Sequence, residues 1–195
     1  KNFGSLAASI KATDADAVLV IAFDQTVPLV KSMAGVGIDT SKLYFFDGNM
    51  SDYSSKFETG LLNGDKGTIP GAVATDDFRE RLKTIDDSLT TYTFSAETYD
   101  AVILAALAAQ EGGSADSETI RKTLPAVSGT DNGIECSTYK ECKALIKNGK
   151  RIAYHGMASI GAFNDKHDPS SAYIGVYTYD EDNMPQFDHS QQGSV

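Results

Sequence analysis

The sequence has no tryptophan and no long hydrophobic run, and it contains only two cysteines and five prolines in 195 residues. The longest apolar stretch, residues 101–109, falls well short of the ~20 residues that a membrane-spanning helix requires. The opening Lys1-Asn2-Phe3-Gly4 lacks the basic and then apolar segments of a signal peptide. We therefore expect neither a membrane-spanning helix nor a signal peptide in these residues. A hydrophobic content of 41% is ordinary for a globular protein with a core.

Positive charge is also scarce, because 17 lysines and arginines stand against 27 aspartates and glutamates, a net charge of −10. Proteins that bind nucleic acid need clustered cations to displace the counterions of the phosphates. The densest cationic group, at residues 140–151, is spread along a helix-like segment that also contains Glu141. We interpret it as a solvated helix face and predict that nucleic acid is not a partner.

Motifs that would indicate an enzyme are missing as well. The sequence has no Gly-x-Ser-x-Gly nucleophile elbow, no HExxH zinc motif and no P-loop. Residues 164–168 offer oxygen ligands but lack the glycine and glutamate of an EF-hand loop, so we interpret them as a solvated turn. Asp86 and Asp87 are adjacent and would point apart on a helix or a strand. The sequence therefore favours a protein that is not an enzyme, and it predicts no cofactor and no metal site.

The two cysteines, Cys136 and Cys142, are separated by five residues. A CxxC redox site would have two intervening residues, and a zinc site would need further ligands, whereas the three histidines are scattered. The spacing favours a local disulfide that closes a short loop, if the protein is exported. The alternative is a pair of unrelated thiols in a cytosolic protein.

Helical and extended segments alternate along the first part of the chain. Residues 16–23 form a continuous apolar run, which is typical of a strand buried on both faces of a parallel sheet. Residues 27–34 repeat apolar side chains at helical spacing, and residues 42–46 are the next predicted strand. This order predicts an open α/β sheet with right-handed crossovers.

The second part of the chain is more varied. Residues 66–73 are predicted to be extended, and their two glycines and proline indicate a crossing or a bend more than a central strand. A long helix is predicted over residues 96–110, and its small apolar face, at residues 102, 105, 106 and 109, predicts a closely packed neighbour. Residues 174–179 alternate as a strand does, whereas the polar residues 188–195 are expected to fray.

Four segments are, by their order and spacing together, typical of one protein family. These segments are residues 15–20, 42–49, 95–102 and 169–179. With them the chain resembles the branched-chain amino-acid-binding proteins of ABC importers, which are type I periplasmic binding proteins. The cysteine loop and residues 149–156 resemble actinobacterial versions. The resemblance extends over nearly the whole chain and corresponds to the C-terminal portion of such a protein. Residues 156–161 depart from the Ser-Gly-Pro-like hinge that relatives usually carry there.

The resemblance implies two three-layer α/β/α lobes with parallel sheets, joined by three hinge strands, and a ligand trapped between the lobes. By analogy, residues 1–72 belong to the C-terminal lobe, residues 73–158 to the N-terminal lobe, and residues 159–195 return to the C-terminal lobe. The alternative is one compact α/β domain over residues 1–187. The family also implies an extracytoplasmic location, a membrane permease as partner, and membrane attachment only through a lipid anchor outside this fragment.

The residues implied for the ligand site follow the first two predicted strands and precede the long helix. By the resemblance, Asp47 accepts hydrogen bonds from the α-ammonium group of the ligand, beside Gly48; the alternative is a turn aspartate that caps its own backbone. Phe23 packs against the ligand, next to Asp24; alternatively Phe23 is a core residue and Asp24 caps the following helix. Phe94 covers the ligand side chain, or else it is a hydrophobic staple.

Two aromatic contacts imply an apolar pocket, so a branched-chain amino acid is the favoured ligand, with urea and short amides as alternatives. Glu97 and Asp100, in the first turns of the long helix, are interpreted as structural carboxylates that complement the helix dipole. A ligand-sensing receptor module of the same fold is the competing function, since one fold serves many functions. A third alternative is a surface protein that has kept the fold and lost the ligand.

Overall fold

A computed structural model of the protein describes residues 3–194, so that Lys1 and Asn2, which the signal-peptide expectation included, and Val195 lie outside it. The helices and strands are α1 (Gly4–Ala12), β1 (Val18–Val20), α2 (Thr26–Gly35), β2 (Leu43–Phe46), β3 (Lys66–Pro70), α3 (Asp76–Lys83), α4 (Ser95–Gly112), α5 (Ser117–Pro125), β4 (Ile134–Cys136), α6 (Tyr139–Lys147), β5 (Ile152–Tyr154), β6 (Ser171–Tyr179) and β7 (Pro185–Ser194). Within the described residues, no helix combines the length and the apolar character needed to cross a membrane.

The chain divides into two compact units. Unit 1 comprises residues 1–70 and 175–189, and unit 2 comprises residues 71–174 and 190–195. The backbone therefore passes from one unit to the other after Pro70, after Ile174 and after His189. Strands β6 and β7 each contribute residues to both units.

The main sheet has the strand order β1-β2-β3-β6-β7. Strand β1 pairs with β2, and β2 with β3, in parallel. Strand β6 runs antiparallel to β3, because the amide of Tyr179 donates to the carbonyl of Asp65 while that of Gly71 donates to the carbonyl of Tyr173. The second sheet is the parallel pair β4-β5. The predicted α/β fold is confirmed, although the main sheet is only partly parallel, because β1, β2 and β3 are parallel and β6 is antiparallel to β3.

The core of unit 1 lies between the sheet and the helices α1 and α2. In β2, Leu43 and Phe45 are both 1% exposed and point into this core. The ring of Tyr179 from β6 meets the ring of Phe45 edge-on, at 5.3 Å between centroids. The hydroxyl of Tyr179 is also satisfied, since it donates to the carbonyl of Ser51 at 3.0 Å. Helices and strands distant in sequence thus share one apolar cluster.

The opposite face of the unit 1 sheet carries exposed apolar side chains. Leu19 lies beside Tyr44 in the parallel register of β1 and β2, and these residues are 60% and 44% exposed. Ile21, just past β1, is 70% exposed. The prediction that residues 16–23 are buried on both faces is therefore wrong. The strand itself is only Val18–Val20, and both α1 and α2 pack on its other face.

Strand β3 corrects part of a second expectation, because residues 66–70 form the middle strand of the five-stranded sheet, whereas the predicted crossing is present where the chain passes to unit 2 after Pro70. Gly67 is required there by close packing, since a Cβ atom would lie 2.6 Å from the carbonyl oxygen of Phe45. Pro70 occupies the last position of the strand, and Gly71 follows with a φ of +114°. The glycine and proline that suggested a bend thus mark a tight neighbour and the end of the strand.

Unit 2 packs α4 against α5, α6 and the small sheet. The buried side of α4 is formed by Leu104, Leu107 and Ala108, which are at most 3% exposed. The small face predicted to be closely packed is only partly covered, since Ala105, Ala106 and Ala109 are half-buried whereas Val102 is 64% exposed. The leucines carry more apolar area than the alanines, so their burial decides which side of the helix faces the core.

The end of the chain is also better ordered than expected. Residues 188–194 were predicted to fray, yet they belong to strand β7 and are exposed on it. The ring of Phe187 packs edge-on against that of Tyr177, with 5.6 Å between centroids. Backbone pairing with β6 therefore orders a polar segment that has little apolar area of its own to bury.

The predicted disulfide between Cys136 and Cys142 is present, with 5.4 Å between the Cα atoms. It ties the end of β4 to α6, and both cysteines lie in the core of unit 2. A bond across six positions in sequence stabilises mainly by restricting the unfolded chain, by about 2 kcal/mol.

We expect reduction with dithiothreitol to lower the free energy of unfolding by that amount, about 2 kcal/mol, measured by urea denaturation. The double variant Cys136→Ala with Cys142→Ala is the control, and its stability should not respond to dithiothreitol. If the oxidised and reduced proteins unfold at the same urea concentration, the disulfide contributes nothing to the free energy of unfolding.

Candidate functional site

Four of the five predicted ligand residues lie at one edge of the unit 1 sheet. Phe23 and Asp24 follow β1, and Asp47 and Gly48 follow β2. Because β1 and β2 are parallel neighbours, their carboxyl ends meet at the same edge. Ligands of open α/β sheets bind outside the carboxyl ends of the strands. We call the edge formed by these four residues the rim.

The ring of Phe23 lies directly against Gly48. A Cβ atom added to Gly48 would be 2.3 Å from Cε1 of Phe23, so no larger residue fits there without moving the ring. Phe23 is nonetheless 72% exposed, which contradicts the alternative that it is the last core residue of a buried strand. The ring therefore offers an open apolar surface at the rim.

Asp47 begins the short 3₁₀ turn Asp47–Asn49 and has a left-handed backbone, with a φ of +50°. Its carbonyl accepts a hydrogen bond from the amide of Met50 at 2.9 Å. Its carboxylate is half-buried and has no hydrogen-bond or ion-pair partner among residues 3–194. The alternative of a self-capping turn aspartate is therefore not realised, and the carboxylate has acceptor positions available to a ligand.

Asp24 is exposed and does not act as the predicted helix cap. Helix α2 begins at Thr26 with Gln25 at its N-cap position, and no side chain makes a capping hydrogen bond there. The turn is instead closed by the backbone, where the amide of Thr26 donates to the carbonyl of Phe23 at 2.9 Å. Asp24 thus adds a second negative charge beside Phe23.

Asn49 joins the two strands that build the rim. Its side-chain amide donates to the carbonyl of Val20 at 2.6 Å, and its side-chain oxygen accepts from the amide of Phe46 at 2.7 Å. Asn49 is fully buried and fixes the end of β1 against the end of β2. Nothing in the local sequence distinguishes it from an ordinary turn asparagine, because its bond to Val20 depends on the pairing of β1 with β2.

The fifth predicted residue, Phe94, belongs to unit 2 and occupies the N-cap position of α4. Its φ of +61° is unusual for an aromatic residue, and such strained backbones cluster at functional sites. The carbonyl of Phe94 accepts from the amide of Thr98 at 3.0 Å and from its hydroxyl at 2.8 Å. The Phe94 side chain is not part of the apolar cluster around Phe78, and the residue is 43% exposed.

The two carboxylates in the first turns of α4 do more than complement the helix dipole. Asp100 is 1% exposed and accepts hydrogen bonds from the hydroxyl of Tyr154 at 2.9 Å, the amide of Met157 at 2.9 Å and the amide of Ala158 at 2.7 Å. Glu97 accepts from the amide of Ala72 at 2.6 Å. Burial, together with the bond to Asp100, raises the pKa of the Tyr154 hydroxyl.

Comparison with known proteins shows the fold. No family model and no curated protein matches the sequence. The chain is similar to a leucine-binding protein from Thermotoga maritima, with a TM-score of 0.69, 14% identity, and coverage of 97% of this chain and 48% of that one. The chain has the fold of a type I periplasmic binding protein.

Two further type I periplasmic binding proteins extend this comparison. A solute-binding protein of an ABC transporter from R. palustris, in complex with benzoate, has a TM-score of 0.61 at 12% identity and covers 99% of this chain and 48% of that one. A leucine-, isoleucine-, valine-, threonine- and alanine-binding protein from Brucella ovis has a TM-score of 0.53 at 14% identity, covering 99% and 47%. The chain thus spans about half the length of these proteins. At these identities the likeness shows the fold alone.

One buried carboxylate lies away from the rim, at the amino-terminal end of β3. Asp65 is 1% exposed, and neither side-chain oxygen has a hydrogen-bond partner among residues 3–194. Burial, with a smaller contribution from the negative charge of Asp39, raises the pKa of Asp65 to about 8. In a parallel sheet this end is opposite the ligand edge, so Asp65 affects stability and not the candidate site.

Proposed function

We propose that this chain is part of the solute-binding component of an ABC importer and captures a small amino acid between two lobes by hinge closure. The observation that carries the proposal is the Asp47 carboxylate, which has no partner within residues 3–194 and lies on the same rim as the exposed ring of Phe23. A carboxylate and an adjacent apolar surface suit the ammonium group and the side chain of an apolar amino acid.

The charge of the rim favours a ligand with an ammonium group. Hydrogen bonds between a carboxylate and an ammonium group are charge-assisted and about twice as strong as neutral ones. A ligand such as benzoate, which carries only a negative charge, would meet repulsion from Asp47 and Asp24. The leucine-binding and branched-chain-binding proteins of the same fold therefore indicate the more suitable ligand class.

The disulfide supports the extracytoplasmic location that this function requires. Disulfides persist in oxidising compartments and are rare in the cytosol. The Cys136–Cys142 bond lies in the core of unit 2, away from the rim residues in sequence, and has the character of a structural bond. We propose a membrane permease as the partner, and binding without catalysis as the activity. A lipid-anchored position at the cell surface, or a periplasmic one, belongs to the same proposal.

The decisive measurement is isothermal titration of L-leucine, L-isoleucine and L-valine into the protein at its natural full length. We expect binding at micromolar or lower Kd, and a loss of about tenfold or more in affinity for Asp47→Ala, because a hydrogen bond to a charged group contributes ~1.5–3 kcal/mol. Benzoate should give no heat with the wild type.

The control variant is Asp87→Ala, an exposed carboxylate of unit 2 that should leave the affinity unchanged. Circular dichroism of every variant verifies the fold. An Asp47→Ala variant that binds leucine as tightly as the wild type would exclude Asp47 as the ammonium acceptor. A folded wild type that binds none of the three amino acids would refute the ligand class.

A further inference from the structure

A side chain of α4 accepts a hydrogen bond from the segment that follows β3. The carboxylate of Glu97 accepts a hydrogen bond from the amide of Ala72 at 2.6 Å. Gly71 precedes this bond with a φ of +114°, and a Cβ atom on it would lie 2.6 Å from Oε1 of Glu97. A side chain at position 71 is therefore excluded both by backbone conformation and by space.

Asp100 makes the same kind of contact one turn further along α4. A Cβ atom on Gly156 would lie 2.1 Å from Oδ1 of Asp100, and the next two amides, of Met157 and Ala158, donate to its carboxylate. Residues three apart on a helix share a face, so Glu97 and Asp100 form one pair of acceptors. This pair anchors two connections, one arriving after β3 and one after β5.

Phe94 lies at the start of the same turn of α4 that contains Glu97. Phe94 precedes Glu97 by three residues and holds a left-handed backbone. A strained residue persists only where the surrounding structure over-determines its conformation. The hydrogen bonds of Thr98 to the Phe94 carbonyl act from inside the helix, whereas the bond that the Ala72 amide donates to Glu97 fixes the same turn from outside it.

We propose that Glu97 is the positioning residue for Phe94. Its bond to Ala72 fixes the first turn of α4 on the connection after β3, and it thereby sets the place of the Phe94 ring. The consequence for ligand affinity rests on the proposed function, in which Phe94 contacts the ligand side chain. The effect on the position of Phe94 holds with or without a ligand.

The test compares Glu97→Ala with Glu97→Gln. Glutamine keeps a side-chain oxygen that accepts from Ala72, and it loses no other bond because Oε2 of Glu97 is buried without a partner among residues 3–194. In Glu97→Ala, we expect hydrogen exchange of the Ala72 amide to accelerate about tenfold or more. We also expect a shifted or broadened ¹⁹F resonance of fluorophenylalanine at position 94, assigned with Phe94→Leu. In Glu97→Gln, the exchange rate of the Ala72 amide and the ¹⁹F resonance at position 94 should both match those of the wild type.

Affinity for L-leucine is the third measurement, and we expect it to fall about fivefold or more in Glu97→Ala while Glu97→Gln retains it. Val127→Ala, a core variant of unit 2, provides a protein of reduced stability without a change at Glu97. Glu111→Ala, at the exposed end of α4, is the neutral control.

Three outcomes overturn the proposal. One is a Phe94 resonance that does not change in Glu97→Ala, and another is an unchanged exchange rate at Ala72. The third is Val127→Ala reproducing the effects at Ala72 and Phe94, because general destabilisation would then explain them. A wild type that binds no amino acid refutes the proposed function alone, since exchange at Ala72 and the Phe94 resonance still decide the role of Glu97.

Discussion

Asp100→Ala is expected to lower the free energy of unfolding by about 3 kcal/mol or more. The substitution removes an acceptor that is 1% exposed and leaves three donors without it, namely the hydroxyl of Tyr154 and the amides of Met157 and Ala158. A buried donor that loses its only acceptor costs ~1–3 kcal/mol. Urea denaturation followed by circular dichroism measures the loss.

Two matched variants separate the hydrogen bonds from other effects. Tyr154→Phe removes one of the three donors and leaves the carboxylate two others, so we expect a loss of about 1 kcal/mol. Val102→Ala, on the exposed side of the same helix, should change stability by less than about 0.5 kcal/mol. An Asp100→Ala protein as stable as Val102→Ala would contradict the assignment of Asp100 as the central acceptor of unit 2.

Asp65→Asn is expected to stabilise the protein at pH 8 and to have little effect at pH 4. The pKa of Asp65 is raised to about 8 in the folded protein, against ~3.9 in an unfolded chain. Folding therefore favours the protonated form of Asp65. The stability that this protonated carboxyl contributes is fully present below about pH 4, where Asp65 is protonated in the unfolded chain as well. That stability is lost as the pH rises towards 8, by about 1.4 kcal/mol per pH unit at most.

Thermal or urea unfolding of both proteins at several pH values gives the difference between them, which isolates Asp65 from other titrating groups. Asp52→Asn is a control of opposite sign, because Asp52 accepts hydrogen bonds from Ser54 that lower its pKa. The stability that the Asp52 carboxylate contributes is present above the pKa of Asp52 in the unfolded chain, and it is lost as the pH falls through the lower pKa of Asp52 in the folded protein. A constant difference between wild type and Asp65→Asn from pH 4 to pH 8 would contradict the buried ionisation of Asp65.

Local patterns in the sequence account for the fold class and for the composition of the rim. The order of helices and strands predicts an α/β sheet, and Asp24 and Asp47 are the polar residues that follow the predicted strands at residues 16–23 and 42–46. Parallel pairing then places the ends of β1 and β2 together. The disulfide was predictable for the same reason, because its two cysteines are only six positions apart.

Burial, in contrast, could not be predicted from local patterns. An apolar run such as residues 16–23 indicates a strand, but it does not indicate which faces of the strand other elements cover. Leu19 is exposed because α1 and α2 pack on the opposite side of β1. Likewise the leucines of α4 face its core, while Val102 remains in solvent.

The sequence by itself determined the α/β class, the cysteine spacing that allows a local disulfide, and the set of polar and aromatic residues at the ends of the first two strands. Only the tertiary structure decided which carboxylates accept hydrogen bonds within the protein and which have no partner among residues 3–194. Asn49 bonds a residue 29 positions away, and Asp100 bonds residues up to 58 positions away. Such partners are brought together by packing of the whole chain, whereas periodicity and turn chemistry act over a few residues, so hydrogen-bond partners of this kind are invisible in local sequence.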